Sequence, residues 1–303
     1  MTYEEFKGIV KAKPYLLKMG KGLISKRYNI PKSFVENARK EFSSNTPPRE
    51  NMTTSKILIL DIETSPMKAY VWKRWKENIS LDQTISEWFM ISWSAKWLNS
   101  SEIMGEVLTS EEAINEDDFR IVKSLWILLD EADIVIAHNG SRFDIPKINS
   151  RFIINGFPPP KPYKQIDTLI TTKKVFGFSS NKLDALATYF NIPNKIETDF
   201  ELWKKSIEGD KEALSYMLKY NKQDVLILEK VYLKLRPWIY KHPNINSING
   251  IDKCPFCGSN SVTKQDINVN LQVNTYSLYR CDTCNGFFRD NKSLGKYTNT
   301  KSL

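Results

Sequence analysis

Four acids and a tyrosine of this 303-residue chain are each set in apolar sequence. Asp61 and Glu63 end the run Lys56-Ile-Leu-Ile-Leu-Asp-Ile-Glu63. Asp144 closes Asp133-Ile-Val-Ile-Ala-His-Asn-Gly-Ser-Arg-Phe-Asp144, and Tyr220-Asn-Lys-Gln-Asp224 lies within the apolar-striped segment 213–237. Acids in apolar surroundings lose hydration and repel one another, so a fold that gathers them must neutralise them with cations. Four carboxylates converging on one point suit a pair of Mg²⁺ or Mn²⁺ ions and an in-line attack on a phosphodiester.

Local periodicity fixes how these residues can be presented. The first run is a buried strand, and period-two geometry places Asp61 and Glu63 on one face before Thr64-Ser-Pro66 breaks it. Residues 87–97 and 103–108 are predicted as antiparallel strands, and Phe119–Asp130 has a helical period. The run from Asp133 is a second buried strand leading through a turn into a helix, and Asn181–Ile192 is another helix with Asp184 expected in solvent. In the long helix 213–237, Tyr220 and Asp224 are one turn apart on a common face that borders the apolar stripe. His138, at a strand end beside Asn-Gly, is read as a packed, hydrogen-bonded residue rather than a general base.

In order and spelling, Asp61-Ile-Glu-Thr-Ser-Pro, His138-Asn-Gly-Ser-Arg-Phe-Asp144 and Tyr220-x-x-x-Asp224 resemble the DEDD (DnaQ-like) 3′→5′ exonuclease superfamily. The likeness is to its tyrosine subclass, as in family-B DNA polymerase proofreading domains; the histidine subclass would place histidine where Lys219 stands. The resemblance covers about residues 55–240 and implies an α/β, RNase H-like mixed sheet flanked by helices. It implies that Asp61, Glu63, Asp144 and Asp224 hold two Mg²⁺ or Mn²⁺ ions and that Tyr220 orients the attacking water. Asn139 and Phe143 would contact the substrate strand near its 3′ end, Asp167 would be structural, and the products would be nucleoside 5′-monophosphates.

Charge is unevenly spread. Residues 1–50 carry 11 Lys and Arg against 5 Asp and Glu, residues 241–303 carry 8 against 4, and the middle is nearly neutral. Basic ends around a neutral centre suggest that the ends grip a polyanion while the middle does chemistry. In residues 1–50, Leu23, Ile24 and Tyr28 share one helical face, Asn29-Ile-Pro31 breaks it, and Phe34, Val35, Ala38 and Phe42 begin a second apolar stripe. This pattern resembles a helix-turn-helix and would present Lys32, Ser33, Asn37 and Lys40 to a major groove. Ser43–Thr54 reads as a linker.

All four cysteines fall in two knuckles, Cys254-Pro-Phe-Cys257 and Cys281-Asp-Thr-Cys284, separated by 23 residues. That spacing predicts a small Cys₄ zinc ribbon over residues 250–303 with a structural metal, since four thiolates leave no position for substrate. Tyr276, Tyr279, Arg280, Phe287, Phe288 and Arg289 suit either stacking on unpaired bases or the ribbon's own core. No secretory leader or membrane-length apolar run is visible, so a cytoplasmic protein is expected, in the host cytoplasm if the three-part arrangement belongs to a bacteriophage. The partner expected is nucleic acid, with DNA favoured over RNA, and replication or recombination proteins are candidates; nothing speaks to oligomeric state. Two rival readings stand beside the exonuclease: a structure-specific endonuclease or resolvase on the same fold, and a DNA-binding regulator with an inactive site.

Overall fold

The computed structural model describes residues 1–12, 16–17, 19–42, 55–193, 196–246, 253–271 and 273–296. The linker read at Ser43–Thr54 and the boundary at residue 250 lie outside the described residues. Three helices come first, α1 (Tyr3–Ala12), α2 (Lys21–Tyr28) and α3 (Lys32–Phe42). α2 ends because Asn29 turns left-handed, with φ 48°, and the Ser25 hydroxyl donates to the Ile30 carbonyl across the turn. Phe6, Val10, Ile24, Val35 and Ala38 are buried between the helices, and Arg39 donates to the Leu17 and Met19 carbonyls, tying α3 to the chain between α1 and α2.

The sheet is built from β1 (Ile57–Thr64), β4 (Met90–Trp97), β5 (Met104–Val107), β6 (Ile134–Ala137) and β7 (Lys164–Asp167), in the order β5-β4-β1-β6-β7. A small hairpin of β2 (Lys68–Ala69) and β3 (Thr84–Ser86) interrupts the step from β1 to β4. β4 runs antiparallel to β1 and β5, whereas β6 is parallel to β1 and to β7. Helices α4 (Ser110–Ile114), α5 (Phe119–Glu131), α6 (Asp144–Ile154), α7 (Thr168–Val175), α8 (Leu183–Tyr189), α9 (Phe200–Ile207) and α10 (Lys211–Leu235) flank it. This is a mixed α/β, RNase H-like domain, as the sequence predicts.

Alternation along β1 decides what each face does. Leu58, Leu60 and Ile62 enter the core shared with Ile121, Leu125 and Leu129 of α5. Ile57 and Ile59 point the other way, into a core with Val225, Leu228 and Tyr232 of α10, so Asp61 and Glu63 also face α10. β4 alternates in step: Ile91, Trp93 and Ala95 join α5, whereas Ser92 and Lys96 meet α10 through Asn221 and Glu229. The Lys96–Glu229 ion pair is buried, and it fixes the rotation of α10 over the acids.

The N-terminal helices pack onto this domain through α2. The Gly20 N–H donates to the Gly156 carbonyl at 3.4 Å, and the Arg27 guanidinium lies 3.7 Å from the centre of the Phe119 ring. Gly156 has φ 76°, which favours glycine, and a Cβ there would sit 2.9 Å from the Leu23 side chain, which lies against the turn. At the other end, β8 (Val262–Leu271), β9 (Asn274–Cys281), β10 (Phe287–Arg289) and β11 (Gly295–Lys296) form a separate antiparallel sheet around the cysteines. It is fastened to the end of α10, where Tyr232 Oη bonds His242 Nε2, the Ile245 N–H donates to the Pro255 carbonyl and His242 packs edge-on against Phe256. No described helix is long and apolar enough to cross a membrane.

Candidate active site

Strand β1 delivers its acids at the point where its pairing ends. Asp61 is opposite Ser94 and Glu63 opposite Ser92, and the register slips immediately after Glu63. α10 then lays Asp224 against them: one carboxylate oxygen from each of Asp61, Glu63 and Asp224 lies within 4.8 Å of the others. Hard oxygen donors so closely grouped fit a divalent cation. Asn221, one residue past Tyr220 and fully buried, donates to Asp61 Oδ2 at 2.6 Å and takes the Ser92 hydroxyl on its own oxygen at 3.3 Å. Sequence reasoning missed Asn221. Its only signal was a polar side chain beside the apolar stripe, in register to reach β1.

Asp144 enters differently and is not in that three-acid group. Pairing of β6 with β1 stops at Ile59–Ile136, leaving the Ile62 N–H without a strand partner, and Asp144 Oδ1 accepts it at 3.2 Å. The buried carboxylate therefore joins the first turn of α6 to β1 between the two acids of that strand. The turn that brings it there is over-determined. Asn139 is left-handed with φ 68°, and a Cβ on Gly140 would lie 2.4 Å from that of Ala137. Asp167 holds the same turn, accepting from the Asn139 and Ser141 N–H groups and the Ser141 hydroxyl while capping α7 through Leu169 and Ile170. His138 is hydrogen-bonded at both ring nitrogens, to Thr168 Oγ1 and the Asn181 carbonyl, and burial lowers its pKa. It is hydrogen-bonded, as expected from sequence, and it also borders the cavity that the acids line.

One cavity of about 550 Å³ is lined by Asp61, Glu63, Asn139, Phe143, Asp144, Tyr220 and Asp224. Asp184 also lines it and is half-buried, a correction to the solvent position expected for it. Lys32, Ser33, Asn37 and Lys40 are elsewhere, exposed along α3. Cys254, Cys257, Cys281 and Cys284 form the second metal-competent group. Their Sγ atoms pair at 3.6 Å (Cys254 with Cys284, Cys257 with Cys281), close to the edge of about 3.8 Å of a tetrahedron with metal–sulfur bonds of about 2.3 Å.

Burial and crowding of like charges dominate the electrostatics of the site. Burial, then the neighbouring Asp144, Glu63 and Asp224 charges, push the Asp61 carboxyl well above its ordinary range, with the Asn221 hydrogen bond opposing. Burial raises Asp144 to about 7 against the Ile62 hydrogen bond. Burial and the Asp224 and Glu63 charges push Tyr220 far up, so it stays a protonated phenol that can donate a hydrogen bond. Raised acids favour the protonated fold, so their contribution to metal-free stability is complete below the usual carboxyl range and is lost as pH rises to about 7. His138 and His242, both lowered by burial, act in the opposite sense below neutrality. The difference between wild type and Asp144→Asn isolates the acid: without Mg²⁺, the variant should gain a few kcal/mol on wild type between pH ~5 and ~8 in thermal or denaturant melts, and added Mg²⁺ should shrink the gap.

Residues 105–236 match the family model of the RNase H superfamily. The matched span holds Asp144, Tyr220 and Asp224; Asp61 and Glu63 precede it and are brought in by the sheet. No curated protein matches the chain. Among solved structures, it is similar to the family B DNA polymerase from the hyperthermophilic archaeon Pyrobaculum calidifontis, at 15% identity and a TM-score of 0.42 over 60% of this chain. That match spans 25% of the polymerase chain.

Proposed function

We propose that this protein is a metal-dependent 3′→5′ exonuclease that hydrolyses nucleic acid, DNA in the first instance, to nucleoside 5′-monophosphates. The observation that carries the reading is the convergence of Asp61, Glu63 and Asp224, with Tyr220 one turn from Asp224, in a cavity that also presents Asn139, Phe143 and Asp144. The RNase H superfamily match supports nuclease chemistry in general. Two Mg²⁺ or Mn²⁺ ions held by Asp61, Glu63 and Asp224, with Asp144 at the far side, would supply charge neutralisation and Lewis acidity toward the phosphodiester. The chain's own residues do the rest. Asn221 orients Asp61 and opposes the rise that burial and the neighbouring acids impose on it, Asp144 locks α6 to β1, and the Tyr220 phenol donates or accepts a hydrogen bond to orient the attacking water. Phe143, at the rim with the Lys147 ammonium 5.3 Å from its ring, offers a face to the terminal base. The four cysteines would hold one structural Zn²⁺, and the basic face of α3 would hold duplex DNA.

The test is digestion of 5′-labelled and 3′-labelled oligonucleotides, as single strands, duplexes and RNA, with Mg²⁺ or Mn²⁺. Stepwise shortening of the 5′-labelled strand with release of a labelled mononucleotide from the 3′ end is expected. Internal cuts at discrete positions would favour an endonuclease instead. Tyr220→Phe should bind metal as wild type does but lose roughly 10- to 100-fold in kcat, because orientation of one proton donor is removed and no charge is. Metal titration monitored by melting temperature, beside initial rates, separates the two effects.

A further inference from the structure

A second cavity, of about 700 Å³, lies where the end of α10 meets the cysteine sheet. Its walls carry Trp238, Tyr240 and Phe287, all exposed, together with Lys241 and Arg289 and one acid, Asp290. These aromatics do not form the core of the small sheet: Phe288 does, stacked on Tyr279 at 5.6 Å and packed with the cysteines, which leaves its neighbour Phe287 outward. Cations attend the rings. Lys174 and Lys241 lie 5.1 and 5.5 Å from the centre of Tyr240.

Contacts through α7 and an aromatic chain link this cleft to the active-site cavity. α7 is eight residues long, about 12 Å. Leu169 and Lys173 on it line the catalytic cavity, while the next residue, Lys174, reaches Tyr240. A second path runs from Ser179 and Ser180, at the catalytic cavity, through Phe178 and Phe176, stacked at 5.1 Å, to Trp238 at 5.4 Å. Exposed rings with interleaved cations, and three positive charges (Lys174, Lys241 and Arg289) against Asp290, complement an unpaired strand, whose bases offer stacking faces and whose phosphates offer charge.

We propose that this cleft is a binding subsite for single-stranded nucleic acid, holding the nucleotides upstream of the 3′ end under hydrolysis. The direction of the strand rests on the exonuclease reading; binding in the cleft does not.

The test uses the full chain with Ca²⁺ in place of Mg²⁺, so that binding is read without turnover. Fluorescence anisotropy compares ~20- and ~4-nucleotide single strands, lengths that exceed and fall short of a strand spanning both cavities. Trp238→Ala with Tyr240→Ala should weaken the longer strand at least about tenfold and leave the shorter one unchanged, since each lost stack removes a base contact. Trp238→Phe with Tyr240→Phe should restore most of the affinity, which a merely structural defect would not allow. Lys241 has a left-handed φ of 58°, so Lys241→Gly removes the cation without straining the backbone and should reduce the salt slope by about one. Unchanged binding of the longer strand, equal loss for both lengths, or displacement of the strand by polyglutamate at matched charge would overturn the subsite. Absence of hydrolysis by the wild-type protein would instead overturn the active-site reading and leave these binding results standing.

Discussion

Asp61→Ala and Asp224→Ala should each lower metal-dependent hydrolysis by roughly 10³-fold or more, the rate equivalent of several kcal/mol of lost transition-state charge stabilisation. Each removes one of three carboxylates that share a 4.8 Å neighbourhood, and no described residue on α10 or β1 is placed to substitute. The same changes relieve repulsion in the metal-free protein, so its melting temperature should rise rather than fall. Asp224→Ala also removes a hydrogen-bond partner of Tyr220, and Asp61→Ala strips the acceptor from the buried Asn221 amide. Asp61→Asn serves as its companion. Initial rates on a labelled oligonucleotide and melts without added Mg²⁺ measure both halves, and a variant that kept wild-type turnover would refute the site.

Removing zinc should produce the largest structural change. The protein as purified should carry about one zinc per chain by elemental analysis, and a zinc-selective chelator should abolish the β8–β11 sheet. Metal binding in such modules supplies on the order of 10 kcal/mol, more than a sheet with so small a core can replace. Burial pushes the Cys254 thiol far up and Cys257 to about 11, whereas N–H groups of Cys284 and Thr283 outweigh burial and bring Cys281 to about 7. The metal must therefore displace protons, and its affinity should rise with pH. The α/β domain should stay folded and keep turning over short substrates, while binding of long strands weakens because Phe287 and Arg289 no longer wall the cleft. Circular dichroism at intact Mg²⁺ concentration, read beside short- and long-strand assays, checks this. Loss of all turnover on short substrates in Cys254→Ser would contradict a structural metal.

The converging acids were legible because each sits where local geometry alone decides orientation. Period two fixes Asp61 beside Glu63, one helical turn fixes Tyr220 beside Asp224, and an Asn-Gly turn after a buried strand fixes the approach to Asp144. The cysteine knuckles were legible for the same reason. What was not legible depends on partners distant in sequence. Asn221 is explained by Asp61 and Ser92, 160 and 129 positions away. Asp144 gains its role from an N–H that β6 leaves unpaired. The second cavity exists only because the cysteine sheet docks on residues 237–242. Nor does anything local to residues 20–28 announce that Gly156 and Phe119 are their seat.

That seat changes how the N-terminal layer should be dissected. Cutting the chain at residue 50 removes a net charge of +6 and at the same time uncovers the hollow over Gly156 and the ring of Phe119. A newly bared apolar scar promotes self-association, so any change in a truncated protein's nucleic-acid binding would be confounded with aggregation. Charge reversals at Lys32 and Lys40 keep Leu23 and Arg27 in place, and with them the solubility of the protein being measured.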